Sequence, residues 1–186
     1  MGNSNIIFLV GFSGSGKSTI GPVLAKRRRA RFIDIDEIIE SSRGISIADI
    51  FRLEGEHAFR ILEKNTLRDV VTKAENATVI ALGGGAVLNR ENRQLMRASG
   101  IVVYLSCSIR EICRRLSRNV DRPLLNVPPR KRESLLKARL RRITELLEKR
   151  RRYYQECDIR VSTTNKTITG VVNEIERLIK RFDECH

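Results

Sequence analysis

Five short apolar runs punctuate the chain: IIFLV at 6–10, RFIDI at 31–35, TVIAL at 78–82, IVVYL at 101–105 and DIRVS at 158–162. Four are rich in β-branched residues and most lack polar alternation, the pattern of strands covered on both faces. Between and after them, apolar residues recur at helical spacing over 16–29, 48–75, 90–98, 108–118, 130–156 and 167–182. Strands alternating with helices predict βαβ units, hence an α/β fold of three layers, α/β/α, around a five-stranded parallel sheet. No internal repeat and no linker rich in Pro, Gly or Ser divides the chain, so residues 1–186 read as one domain. The loop-like stretch RNVDRPLLNVPPR at 118–130 holds three of the four prolines.

A chain of 186 residues can bury about 70% of its unfolded surface and needs no disulfide or metal to fold. Cys107, Cys113, Cys157 and Cys185 form no CxxC pair and read as free thiols of a reducing compartment. His57 and His186 are too isolated to suggest a metal. The first apolar run is too short to cross a bilayer, and no signal or transit segment precedes it, so a cytoplasmic protein with no membrane partner is expected. A monomer is the expected state.

The net charge of +14 is concentrated: residues 130–152 hold eleven basic and three acidic side chains. Leu135, Leu136, Leu140, Ile143, Leu146 and Leu147 recur through them at helical spacing, which describes an amphipathic helix with a basic outer face. A solvated face that attracts an anionic substrate explains it. Polyanion binding is the rival, but no RNA-binding aromatic motif, zinc finger or clear helix-turn-helix accompanies it, so nucleic acid is not an expected partner.

The chemistry begins after the first run, at GFSGSGKST, Gly11 to Thr19. It fits G-x-x-x-x-G-K-[ST] between strand and helix. Its glycines let successive N–H groups face one anion, and the helix adds its positive end. Gly14, Ser15, Gly16, Lys17, Ser18 and Thr19 are the expected ATP-binding residues, with Lys17 reaching the β- and γ-phosphates and the Ser18 hydroxyl placed for Mg²⁺. Pro22, a few residues into that helix, predicts a kink or loosened turn near Ser18.

The second run carries Asp34 and Asp36 at its carboxyl end. Two apart on a strand, both can face a crevice outside the strand ends. One then supports Mg²⁺ and the other accepts a hydroxyl proton. The third run ends in Gly83, Gly84 and Gly85, where a ligand can lie on the main chain. Between them, FRLEGEHAFR at 51–60 sets Arg52 and Arg60 eight residues apart, near one face of a helix, beside Glu54, Glu56 and Glu63.

Together the P-loop, DID at 34–36, FR with Glu63 at 59–63, GGG at 83–85 and DRPLL at 121–125 resemble the shikimate kinase family, of the nucleoside-monophosphate-kinase-like P-loop fold. The motifs stand in family order, at about family spacing, over essentially the whole chain. The resemblance implies an ATP-dependent kinase that transfers the γ-phosphoryl group to the 3-hydroxyl of shikimate, in aromatic amino acid biosynthesis. It implies Mg²⁺, held at Ser18 with Asp34 near the metal. Lys17, Asp36 and Arg122 become the catalytic residues, with Asp36 at the ring hydroxyls and Arg122 on a lid at about 116–130. Arg60, within an acceptor-binding helical segment at about 37–75 that Asp36 borders, and the Gly83–Gly85 turn hold shikimate, and Arg115 packs against adenine. Arg60 is the right residue type, since a guanidinium grips a carboxylate through two parallel N–H bonds. Glu63 orients that arginine, while Arg52 and Glu56 read as helix-surface residues or lid contacts.

One family position departs. A second carboxylate-binding arginine stands in a pattern resembling R-x-P-x-Y; alignment on Tyr153 puts Lys149 there, the proline is missing, and RRR fills 150–152. Either Lys149 serves as a point charge or Arg150 serves through a shifted helix. The rival acceptors are gluconate and a nucleoside monophosphate, against which the paired FR motifs and GGG argue. A nucleotide-dependent binding module without catalysis is the rival from another class.

Overall fold

The computed structural model describes residues 6–116, 128–130 and 133–185. The order is β1 (Ile6–Val10), α1 (Lys17–Arg27), β2 (Arg31–Asp34), α2 (Ile35–Arg43), α3 (Ile47–Leu53), α4 (Gly55–Thr72) and β3 (Thr78–Ala81). A 3-10 turn (Ala86–Leu88), α5 (Arg90–Ser99), β4 (Gly100–Ser106), α6 (Ile109–Leu116), α7 (Leu135–Tyr154), β5 (Ile159–Ser162) and α8 (Ile168–Cys185) follow. The five strands pair in the order β2-β3-β1-β4-β5, every neighbour parallel. Crossover helices therefore have to cover both faces of the sheet.

Side-chain alternation divides the core in two. Ile6, Phe8, Val10, Ile80, Leu82 and Val102 point to one face, where Ile35, Ile39, Ile50, Phe59, Leu67, Met96 and Tyr154 of the helices meet them. Ile7, Leu9, Val79, Ile101, Val103 and Val161 point to the other, against Ile20 and Leu24 of α1 and Val172, Ile175 and Ile179 of α8. A third cluster joins Phe12, Ile112, Leu116, Ile143 and Leu146, which fastens α6 and α7 around the loop after β1. The four cysteines are free, and no helix among the described residues is long and apolar enough to cross a membrane.

The expected elements are present, with differences at particular turns. The helix expected over 48–75 is two, α3 and α4, because the chain breaks at Gly55 with φ +85°. Arg52 and Arg60 thus lie on different helices. A third helix of this segment, α2, precedes them; Asp34 caps its start and Gly44, at φ +67°, ends it. β2 consequently stops at Asp34, one residue early, and Asp36 sits in the first turn of α2. α7 begins at Leu135, where the Ser134 side chain accepts from the Lys137 N–H, and leaves Leu135 and Leu136 exposed instead of on its buried face. Helix α1 runs unbroken through Pro22, and beside it Gly21 has no room for a side chain under the Phe32 ring. Most of the 116–130 segment, Arg122 included, lies outside the described residues, as does His186.

Candidate active site

Two depressions meet at the loop after β1, outside the carboxyl ends of the strands, where open parallel sheets place their ligands. The loop needs glycine at Gly11, whose φ is +151° and where a Cβ would fall 2.6 Å from the Leu105 carbonyl oxygen. A turn closed by the Ser15 N–H on the Phe12 carbonyl then leads into α1. The buried Lys17 ammonium reaches back over this turn, donating to the Gly11 and Phe12 carbonyls at 2.9 and 3.2 Å. Its charge is held at the centre of the anion-binding curve.

Ser18, in the first turn of α1, donates to Asp34 Oδ2 at 2.7 Å. Asp34 Oδ1 accepts the Asp36 N–H at 3.0 Å, so one carboxylate caps α2 and ties it to α1. This corrects the picture of two acids side by side on a strand: Asp34 faces the P-loop helix, and Asp36 turns into the neighbouring pocket. Hydroxyl and carboxylate oxygens suit a hard divalent cation.

Gly14, Gly16, Thr19, Arg115, Thr163 and Lys166 line the depression on the α1 side. Arg115 donates to the Gly14 carbonyl at 3.1 Å, the Thr163 carbonyl at 2.9 Å and Glu111 at 2.8 Å. Pairing with Arg114 and Arg115 holds the Glu111 carboxyl down at about 2.

The second depression holds about 530 Å³ including its open mouth. Phe12, Ile47, Phe51, Phe59 and Leu146 form its apolar wall, and its polar side is Ser13, Asp36, Arg60, Glu63, Gly83–Gly85 and Arg150. Arg60 donates from Nη1 to Glu63 Oε2 at 2.8 Å, and from Nε and Nη2 to Glu56 Oε1 at 3.3 and 3.0 Å. Glu63 is 1% exposed. Burial pushes its carboxyl up, and the Asp36 charge adds to this, against the opposing pull of Arg60 and Arg150. Burial pulls the Arg60 guanidinium down, but Glu63 and Glu56 outweigh that and its pKa is raised.

The three glycines make room for these side chains. A Cβ on Gly83 would fall 2.5 Å from Glu63 Oε1 and 2.9 Å from Asp36 Oδ1, and one on Gly84 would lie 3.2 Å from the Ser13 nitrogen. Protein groups, as well as any ligand, lie directly on this main chain. The Gly84 carbonyl accepts from Arg150 Nη1 at 3.0 Å and from the Tyr154 hydroxyl, and Tyr154 stacks on Tyr104 with 4.9 Å between centroids.

Arg150 is 4% exposed, with its guanidinium 5.5 Å from the Phe12 ring centroid. Lys149 is exposed and absent from the pocket lining. Of the two candidates, the helix therefore brings Arg150 to the site. The phase of α7 explains it: Ile143, Leu146, Arg150 and Tyr154 are its buried face, three and four residues apart. That phase was readable in the sequence and separates 150 from 149. Arg52 pairs with Asp49 on the surface, as expected for it, whereas Glu56 is drawn onto Arg60. Nothing in the sequence marked Ile47, Thr163 or the Tyr154 hydroxyl, which arrive from separate elements.

Comparison with known proteins follows the same outline. Residues 13–180 match the family model described as shikimate kinase. The shikimate kinase of Chlorobium limicola is 46% identical over 182 residues, covering 98% of this chain and 90% of its own length. The structure of shikimate kinase from Acinetobacter baumannii in complex with shikimate superposes with a TM-score of 0.85 at 32% identity, over 95% of this chain and 93% of that one. A gluconokinase from Sinorhizobium meliloti 1021 superposes with a TM-score of 0.56 at 20% identity, over 97% and 94% of the two chains, a likeness of fold alone.

Proposed function

The chain belongs to the shikimate kinase family, and from that premise we propose how its two depressions divide the reaction between them. That reaction moves the γ-phosphoryl group of ATP to the 3-hydroxyl of shikimate. One observation carries the division: consecutive residues of a single loop line both depressions, Phe12 and Ser13 on one side, Gly14 and Gly16 on the other. A nucleotide in the second and an acid in the first would meet across the P-loop, which is the proximity that phosphoryl transfer needs.

On the nucleotide side, Gly14–Thr19 supply backbone donors and Lys17 the charge for the phosphates, while Arg115 borders the base. Ser18 and Asp34 would hold Mg²⁺, and their shared hydrogen bond supports that choice. When bound, the ion neutralises charge on the β- and γ-phosphates.

On the acceptor side, the segment at about 37–75, with Asp36 at its edge, binds shikimate. Arg60 grips the carboxylate, Arg150 is the second cation at that end, and Asp36 accepts from the ring hydroxyl that is phosphorylated. Lys17 stabilises the charge on the moving group. The Gly83–Gly85 turn closes the floor.

ADP release measured with shikimate, gluconate and AMP as acceptors tests this. The expected result is turnover that depends on shikimate. Turnover with gluconate or AMP instead would overturn the acceptor assignment.

A further inference from the structure

Arg60 is not idle before an acceptor arrives. Its inner Nη1 is held by Glu63, one face of the guanidinium lies on Gly85, and Nε and Nη2 both donate to Glu56 Oε1. That last pair is a set of two parallel N–H groups, the fork by which an arginine grips a carboxylate. Glu56 already occupies it.

The charges around Arg60 sharpen the point. Among the described residues, three carboxylates (Asp36, Glu56, Glu63) surround this end of the pocket against two guanidinium groups, Arg60 and Arg150. An incoming anion adds negative charge beside these carboxyl groups, which is disfavoured unless one of them withdraws. Glu63 cannot leave, being 1% exposed. Asp36 Oδ1 is buried, packed against the Gly83 main chain. The Glu56 side chain is 50% exposed and has an open route to water.

We propose that Glu56 is a resident carboxylate that caps the Arg60 fork and is displaced by the carboxylate of the acceptor. The inference rests on Arg60 gripping that acid. It gives the pocket a filter: an anion can exchange with Glu56, whereas a neutral polyol cannot, and meets an arginine whose Nε–Nη2 edge is already taken. An acid in the first turn of α4 also suits the helix dipole. That accounts for a glutamate at this position, but not for its two hydrogen bonds to Arg60.

The test is equilibrium binding of shikimate and of its methyl ester to the full chain, as wild type, Glu56→Gln and Glu56→Ala. Thermal denaturation of each verifies folding. Freed from an exposed ion pair, Arg60 should bind the free acid about two- to fivefold more tightly in both variants, with the ester unchanged. Weaker binding of the acid would mean that Glu56 holds Arg60 in place, and overturns the proposal. So does an unchanged affinity, or an equal change for the ester. Wild-type protein that binds neither compound overturns the acceptor assignment and this inference with it, a result distinct from all the others.

Discussion

The guanidinium of Arg60 lies against the Cα of Gly85, so closely that a Cβ built there would fall 2.3 Å from Nη2 and 2.5 Å from Cζ. Gly85 has φ −104°, a conformation open to any residue, so glycine is required here for space and not for backbone freedom. A turn after β3 and a side chain from α4 are thereby fitted to each other across the acceptor pocket.

Gly85→Ala should therefore act through Arg60. The added methyl must push the guanidinium aside, and misplacing a gripping group by about 1 Å costs up to about 10² in rate. The KM for shikimate should rise about tenfold or more while the KM for ATP moves little. Steady-state kinetics in both substrates checks it; an unaltered shikimate KM would separate Arg60 from the acceptor.

Arg60→Lys keeps the charge and removes the fork. A lysine ammonium cannot present two parallel N–H groups or lie flat on Gly85. Hydrogen bonds to charged groups are worth roughly 1.5–3 kcal/mol, so the shikimate KM should rise by about ten- to a hundredfold. A smaller change in kcat is expected, because the grip is made before as well as during the reaction.

Adjacent positions on α7 should behave oppositely. Arg150→Ala removes a buried side chain that holds the Gly84 carbonyl, costing about 1–3 kcal/mol and raising the shikimate KM. Lys149→Ala alters an exposed residue and should stay within about 0.5 kcal/mol of wild type, with kinetics unchanged. Paired denaturation and kinetic measurements read both; a large effect at 149 and none at 150 would place the helix in the other register.

What the sequence made legible follows from how local each signal is. The P-loop, GGG and the strand runs are contiguous, so their roles could be read without a fold. Arg150 was half legible: its phase with Ile143, Leu146 and Tyr154 marks the buried face of α7, but alignment on Tyr153 points one residue away. Asp34 and Asp36 were found and their relation was misjudged, because a two-residue spacing means one face on a strand and different directions across a helix N-cap. The break at Gly55 hid in a pattern that stays helical on both sides. The Glu56 contact with Arg60 needs no such break, since residues four apart lie one turn apart on any helix.

Glu63 should leave a signature in the pH dependence of stability. Burial raises its carboxyl above the usual 4.5, so the native protein binds this proton more readily than the unfolded chain. The contribution is then fully present below the unfolded value and is lost as pH rises through the higher, folded one. Glu63→Gln does not titrate. The stability of wild type relative to this variant should be greatest in acid and shrink toward neutral pH. Denaturation midpoints of both proteins across that interval test the sign, and a difference growing with pH contradicts it.

Asp34 serves two purposes that one substitution can separate. As the cap of α2 it accepts the Asp36 N–H, and as the partner of Ser18 it faces the expected Mg²⁺ position. Asparagine caps a helix about as well as aspartate, whereas alanine costs about 1 kcal/mol at such a position. Asp34→Asn should therefore leave thermal stability nearly unchanged, and Asp34→Ala should lower it by a few degrees. Both lose the carboxylate charge beside Ser18. The Mg²⁺ concentration for half-maximal turnover should rise about ten- to a hundredfold in each, as for loss of a group supporting a metal. Titrating Mg²⁺ at fixed ATP checks this. If Asp34→Asn kept the wild-type Mg²⁺ requirement, Asp34 would be a helix cap alone and the ion would depend on Ser18 and the phosphates.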